Sequence, residues 1–223
     1  MLDRFVSVSG FVLAGGASRR MGRDKAKLVL GEETMLERQI RLLRRVCRSV
    51  TVIGPPENFA RVDVPVFPDE LLGRGPLAGI YTGLSLSRTE LNLFLGCDMP
   101  FMGARFLRFL CERACTSRAD VTLPETRQQG LQPLSAVYRR RALGPIRARL
   151  AAGENEVSRF LPRVQCLVLP WREIARAGFP PRIFDNMNTR EDYEAARRSF
   201  QLSAISGHRV VERQETVYDG GPA

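Results

Sequence analysis

Five basic residues, Arg19, Arg20, Arg23, Lys25 and Lys27, fall within nine positions directly after the glycine pair Gly15-Gly16. They belong to the stretch VLAGGASRRMGRDKAKL, Val12 to Leu28, which begins as an apolar run. Glycines let a backbone approach an anion closely and offer it N–H groups, and the cations supply charge. The stretch is not a Walker A loop, because Gly22 is followed by Arg23 and Asp24 before Lys25. Nor does it contain GxGxxG. An anion cradle and a tight turn with a solvated basic loop both remain open readings. A second candidate is Asp98, which ends LNLFLGCDMP. A carboxylate there, followed by Pro100, suits a hard cation such as Mg²⁺, or equally a turn cap. Asp69 in FPDE is placed in the same way with a weaker case. The glycines of GRGPLAGI, Gly73 to Ile80, permit either close ligand approach or tight helix packing.

The 223-residue chain carries 34 Lys and Arg against 24 Asp and Glu, a formal charge of +10. Nucleic-acid binding is not the expected function. The arginines are spread over the whole chain, and the phenylalanines lie in apolar stretches rather than among basic residues. Only two of the basic residues are lysines, Lys25 and Lys27, and both lie in the glycine-arginine stretch. A lysine retained where arginine is otherwise used marks a place for a compact ammonium rather than a planar fork. The five cysteines include no CxxC pair, and the one histidine is His208. A His/Cys metal site is therefore excluded, and free buried thiols are expected. The longest apolar runs, such as 91–95, are too short to span a bilayer. Arg4 and the following FVSVSGFVLAGGAS loosely resemble a leader, but Ser7, Ser9 and Gly10 break the run. The expectation is a cytoplasmic protein with no membrane partner.

Positioning these residues requires alternating strands and helices. Strands are expected at 6–13, 50–53, 64–67, 91–96, 120–123, over LQPLSAVYR (131–139) and at 166–169. Helices are expected at 34–47, 76–86, 104–115, 142–151 and 157–161, with a last helix starting at NTREDYEAA. Thr34 and Glu37 form a capping-box pattern, and Asn188 or Thr189 can cap the last helix. Strands that are apolar nearly throughout imply a mainly parallel sheet covered on both faces, with ligand beyond the carboxyl ends of the strands. The expected class is α/β, a Rossmann-like three-layer sandwich on a mainly parallel mixed sheet. One domain over 1–200 and a mobile tail over 201–223 are expected.

The motifs, taken in order, resemble the molybdenum cofactor guanylyltransferases, the MobA-like family of the nucleotidyltransferase superfamily. LAGGASRRMGRDK (Leu13 to Lys25), GPLAGI (75–80), CDMPF (97–101), QPLSAVY (132–138) and FDNMNTREDY (184–193) carry the resemblance, which spans about residues 8–198. It implies that Leu13, Ala14, Gly15, Gly16, Lys25, Asp69, Gly79 and Asp98 meet the nucleotide. Asp98 would hold Mg²⁺, and Arg19, Asn186 and Asn188 would line the pterin side. Lys25, Asp98 and Arg19 would act in catalysis. Two departures stand out. Arg190 replaces the proline usual after Asn-Thr. Asn155 and Glu156 stand where some relatives have arginines, so no phosphate contact is carried over to that loop.

The implied reaction transfers GMP from GTP to the terminal phosphate of molybdenum-bearing molybdopterin, releasing pyrophosphate. A phosphate monoester is largely dianionic near neutral pH, so no strong general base is required. Other cofactor-biosynthesis proteins or molybdoenzyme chaperones are the implied partners. The rivals are a cytidylyltransferase for the same or another phosphorylated acceptor, and a nucleotide-binding adaptor without activity. LAGG rather than LAAG leans towards guanine, and retained Lys25 and Asp98 argue against the adaptor.

Overall fold

The computed structural model describes residues 8–15, 24–71 and 73–205. Along the chain these form β1 (Val8–Leu13), β2 (Val29–Leu30), β3 (Glu33–Thr34), α1 (Met35–Arg44), β4 (Ser49–Ile53) and β5 (Val66–Phe67). Next come α2 (Gly75–Leu86), β6 (Leu91–Gly96), α3 (Ala104–Thr116), β7 (Val121–Thr126), β8 (Gly130–Leu131) and β9 (Ser135–Arg139). The rest is α4 (Leu143–Ala151), α5 (Val157–Phe160), β10 (Cys166–Leu169), α6 (Trp171–Arg176) and α7 (Arg190–Ile205).

The main sheet has the order β10-β7-β9-β6-β1-β4-β5, with β8 attached to β7. β1 pairs in parallel with both β4 and β6, β4 with β5, and β7 with β10. β9 runs antiparallel between β6 and β7, which makes the sheet mixed. Alternation along the strands sends side chains to two cores. Val8, Val12, Leu93, Leu95 and Val137 pack with Leu36, Ile40, Leu43 and Leu110 of α1 and α3. Phe11, Phe94, Ala136 and Tyr138 pack with Leu77, Ile80, Leu84 and Ile146 of α2 and α4 on the other face. This is the expected three-layer α/β sandwich, and it puts the ends of β1, β4 and β6 side by side.

Thr34 caps α1 with a full capping box. Its hydroxyl accepts from Glu37 N at 3.2 Å, and Glu37 Oε2 accepts from Thr34 N at 2.8 Å. The expected strand over 131–139 is instead two strands. Pro133 has no N–H to give a ladder, and Ser135 N donates to Gln132 O to close a turn before β9 begins. The helix expected from 142 opens as a 3-10 turn over Arg140–Ala142 before α4. The last helix continues through Ile205, past the boundary expected at 200. Residues 206–223 of the expected tail, and residues 6 and 7 of the first expected strand, lie outside the described residues. No helix among the described residues is long and apolar enough to cross a membrane.

Candidate active site

Asp98 follows β6 in a buried loop whose backbone is held by polar side chains. Arg38 Nε donates to Pro100 O at 2.7 Å and Gln39 Nε2 donates to Met99 O at 3.0 Å. Both side chains come from α1 and are buried. Buried donors need acceptors, and these carbonyls provide them for Arg38 and for the Gln39 Nε2, while the Gln39 Oε1 is buried without a partner. The loop is thereby fixed, and the Asp98 carboxylate emerges half-buried at its start. From the other side, Met187 N donates to Asp98 O at 2.8 Å, which joins the DNMN segment to the CDMP segment.

Lys25 opens a 3-10 turn, Lys25–Lys27, capped by Asp24, whose carboxylate accepts from Ala26 N at 3.0 Å. The Lys25 ammonium donates to Asn188 Oδ1 at 2.7 Å and stands 3.6 Å from Asp98 Oδ2. Asn188 is held in turn by α7. Asp192 Oδ2 accepts from the N–H of both Asn188 and Thr189 at 2.9 Å, and Asp192 N donates to Thr189 Oγ1 at 3.1 Å. Slight burial pushes the Asp192 carboxyl up. The donors of Asn188 and Thr189, with Lys25 nearby, more than offset this and hold it below its ordinary value. The thiol of Cys97, beside Asp98, is pushed up by burial and then by the Asp98 and Asp24 carboxylates. It stays protonated and is no nucleophile.

A second group lies on the α2 side of β1. A methyl added at Gly79 would stand 3.1 Å from Leu13 Cδ2 and 4.0 Å from Asp69 Oδ2. Leu13, Gly79 and Asp69 therefore share one wall. Asp69 Oδ1 accepts from Leu71 N at 3.1 Å and lies 3.2 Å from Thr82 Oγ1. The two groups adjoin, because Leu13 pairs with Gly96 across β1 and β6 and Asp98 Oδ1 lies 3.1 Å from the Cβ position at Gly96. Ala14 N donates to Ile53 O at 2.9 Å, and Gly15 is exposed at the end of β1.

Lys25, Asp98 and Asn188 thus come together, as do Leu13, Gly79 and Asp69. Asn186 is turned elsewhere. Its Nδ2 donates at 2.8 Å to Gln129 Oε1 on the β7–β8 hairpin, and its Oδ1 is buried without a partner. Gly16 and Arg19 lie outside the described residues. Glu154 and Glu156 of the 152–157 loop pair with Arg149 and Arg159. Among the described residues, no group of three or more His, Cys, Asp or Glu could hold a metal on protein ligands alone. Thr82, Gln129 and Asp192 support the site without having been singled out as site residues. The Thr82 and Gln129 contacts join separate parts of the chain and leave no periodic signal, whereas Asp192 closes a local Thr189-x-x-Asp192 capping box that the sequence could have shown.

The arrangement can receive a polyanion: exposed glycine backbone at Gly15, a fixed ammonium, and a half-buried carboxylate beside it. Residues 10–166 match the model of the MobA-like NTP transferase domain. The chain belongs to that family. A protein of Carboxydothermus hydrogenoformans named as a probable molybdenum cofactor guanylyltransferase is 31% identical over 191 residues, covering 86% of this chain and 95% of its own. The molybdenum cofactor guanylyltransferase of Syntrophotalea carbinolica is 32% identical over 193 residues, covering 85% and 90% respectively. The fold matches a crystal structure of molybdopterin-guanine dinucleotide biosynthesis protein A from Archaeoglobus fulgidus. The TM-score is 0.74 at 22% identity, over 87% of this chain and 99% of that one.

Proposed function

We propose that this protein transfers GMP from GTP to the terminal phosphate of molybdenum-bearing molybdopterin. An oxygen of the acceptor phosphate attacks the α-phosphorus of GTP. The bond from that phosphorus to the bridging oxygen breaks, and pyrophosphate leaves. The observation that carries this reading is the Lys25–Asn188–Asp98 constellation at the carboxyl ends of β1 and β6, in a chain whose relatives carry the guanylyltransferase name.

The chain's own residues supply placement and charge. The acceptor dianion is already a competent nucleophile near neutral pH. Lys25 meets negative charge growing on the transferring group and on the leaving pyrophosphate. A fixed ammonium costs no reorganisation at the moment of reaction. Leu13, Ala14 and Gly15 form the floor under the nucleotide, with Gly79 and Asp69 on the nucleoside side, and the motif resemblance assigns Gly16 to the nucleotide as well. Asn188, beside Lys25, faces the acceptor; the motif resemblance alone assigns Arg19 and Asn186 to that side, and Asn186 is held away by Gln129.

The donor set at Asp98 fits Mg²⁺. This ion keeps several waters and is commonly bound by one or two carboxylates together with substrate phosphates. A half-buried lone carboxylate beside the triphosphate site is such a ligand. When bound, the ion supplies neutralisation of phosphate charge at the reacting centre.

Label tracing tests the reaction. With GTP labelled at the α-phosphate, the label should appear in a dinucleotide product, and with γ-label it should appear in pyrophosphate. Label from the γ-position in the pterin product would show phosphoryl rather than guanylyl transfer.

A further inference from the structure

The reaction above uses Lys25 but leaves Lys27 without a role. These are the chain's two lysines, and they sit on one 3-10 turn. Such a turn advances about 120° per residue, so side chains two residues on leave it about 120° apart, in different directions. Lys25 reaches Asn188 and Asp98 beyond β6. Lys27 reaches the other way, donating to Asn58 Oδ1 at 2.9 Å, with its ammonium 5.9 Å from the Phe59 ring centroid. Asn58 ends the 3-10 turn Pro56–Asn58 that follows β4, and Phe59 is buried. A methyl on Gly54 would stand 3.1 Å from the Phe59 ring and 3.2 Å from the Ala14 carbonyl. The wall that Lys27 grips is therefore the one against which the nucleotide floor rests.

β4 and β6 are the two neighbours of β1. The turn is thus tied on both sides, across the end of the strand that leads into the glycine pair. Between its two lysines Ala26 is buried, and Leu28 O accepts from Met35 N at 2.8 Å. We propose that Lys27 is a positioning residue. With Asn58 and Phe59 it anchors the far side of the turn, so that Lys25 is held at Asp98 and Asn188 before substrate arrives. The inference rests on the assignment of Lys25 to the triphosphate.

The lysine count makes the test direct. Protein labelled with [ε-¹³C]lysine has two lysine side-chain signals, and Lys27→Met leaves that of Lys25 alone. In Lys27→Met the Lys25 signal should move towards its random-coil position. Turnover should fall roughly tenfold, within what a misplaced contact can cost, while the thermal midpoint stays put. Asn58→Ala should do the same. Lys27→Arg should restore both readouts in large part, because a guanidinium can also donate to Asn58 Oδ1 and lie on Phe59, though its planar fork replaces a compact ammonium. In a Lys25→Ala background, Lys27→Met should cost nothing more.

An unmoved Lys25 signal with wild-type turnover in Lys27→Met overturns the proposal. So do losses that multiply in the double variant, since Lys27 would then touch substrate itself. A Lys25→Ala protein with normal turnover defeats the reading of Lys25 instead. That result is separate, because the Lys25 signal is read without turnover.

Discussion

The ammonium of Lys25 donates to the side-chain oxygen of Asn188 at 2.7 Å, across 163 positions of sequence. This bond closes the candidate active site, bringing the basic stretch after β1 onto the segment before α7. Asp98 Oδ2 stands 3.6 Å from the same ammonium, and both side chains are partly open to solvent, 20% for Lys25 and 26% for Asp98. Ion pairs this exposed contribute about 0–1 kcal/mol to stability. Placement of charge, rather than stability, is what the arrangement provides.

Replacing Lys25 should therefore separate activity from stability. Lys25→Ala should lower turnover on the order of 10²-fold or more, as loss of one preorganised electrostatic contact does. Its melting temperature should stay near that of the wild type. Lys25→Arg should not restore full activity, because the planar fork replaces a compact ammonium beside Asp98. Steady-state kinetics and thermal melts decide this. Turnover within threefold of wild type in Lys25→Ala would remove it from the mechanism.

Asp98→Ala should cost about 10²-fold or more in turnover for the same reason, and chelation should silence the wild-type enzyme. The fold should survive, since the loop is held by Arg38 and Gln39 through carbonyls and not through the carboxylate. A purified Asp98→Ala protein with near-normal turnover would defeat the assignment.

Two glycines of α2 should respond differently to a methyl group. At Gly83 it would sit 2.6 Å from Phe94 Cε1, in the middle of the core. Gly83→Ala should destabilise by about 1–3 kcal/mol, as overpacking does, and leave turnover per folded molecule little changed. At Gly79 the methyl meets Leu13 at 3.1 Å near Asp69. Gly79→Ala should raise KM for GTP severalfold with a smaller effect on melting. Denaturant titration and KM measurements on both variants would check the contrast, and equal effects on KM would contradict it.

Acid should loosen the start of α7. The Asp192 carboxyl is held below its ordinary value when folded. Its contribution is present above the unfolded carboxylate pKa, about 3.9, and is lost as pH falls through the lower folded value. Asp192→Asn should therefore melt below wild type at neutral pH, with the gap closing only below about pH 4. Melting curves from pH 3 to 8 would show it. A gap that persists unchanged at the acid end would contradict the carboxylate's role.

Much of this site is legible in the chain because strand ends are punctuated. Gly15 closes an apolar run, Asp98 closes another, and the motif resemblance joins them to Asn188. The alternation of buried strands with amphipathic helices carries the sheet and its layers. What escapes is chemistry without a period. β2 and β3 are two residues each, too short for alternation to register, and α6 spans only six. The Asn186–Gln129, Thr82–Asp69 and Lys27–Asn58 contacts join residues far apart in sequence through single polar bonds. Pro133 divides a stretch that otherwise reads as one strand. Asn155 and Glu156 lie in a loop whose Glu154 and Glu156 pair with Arg149 and Arg159.

The central claim is guanylyl transfer to a pterin phosphate, and pyrophosphate release tests it most directly. Purified protein would be given GTP or CTP, with and without molybdenum-bearing molybdopterin. The account predicts release with GTP that depends on the acceptor, and release with CTP at least tenfold slower, roughly the effect of losing one good recognition contact. Release that is faster with CTP, or absent with every acceptor despite GTP binding, would contradict it.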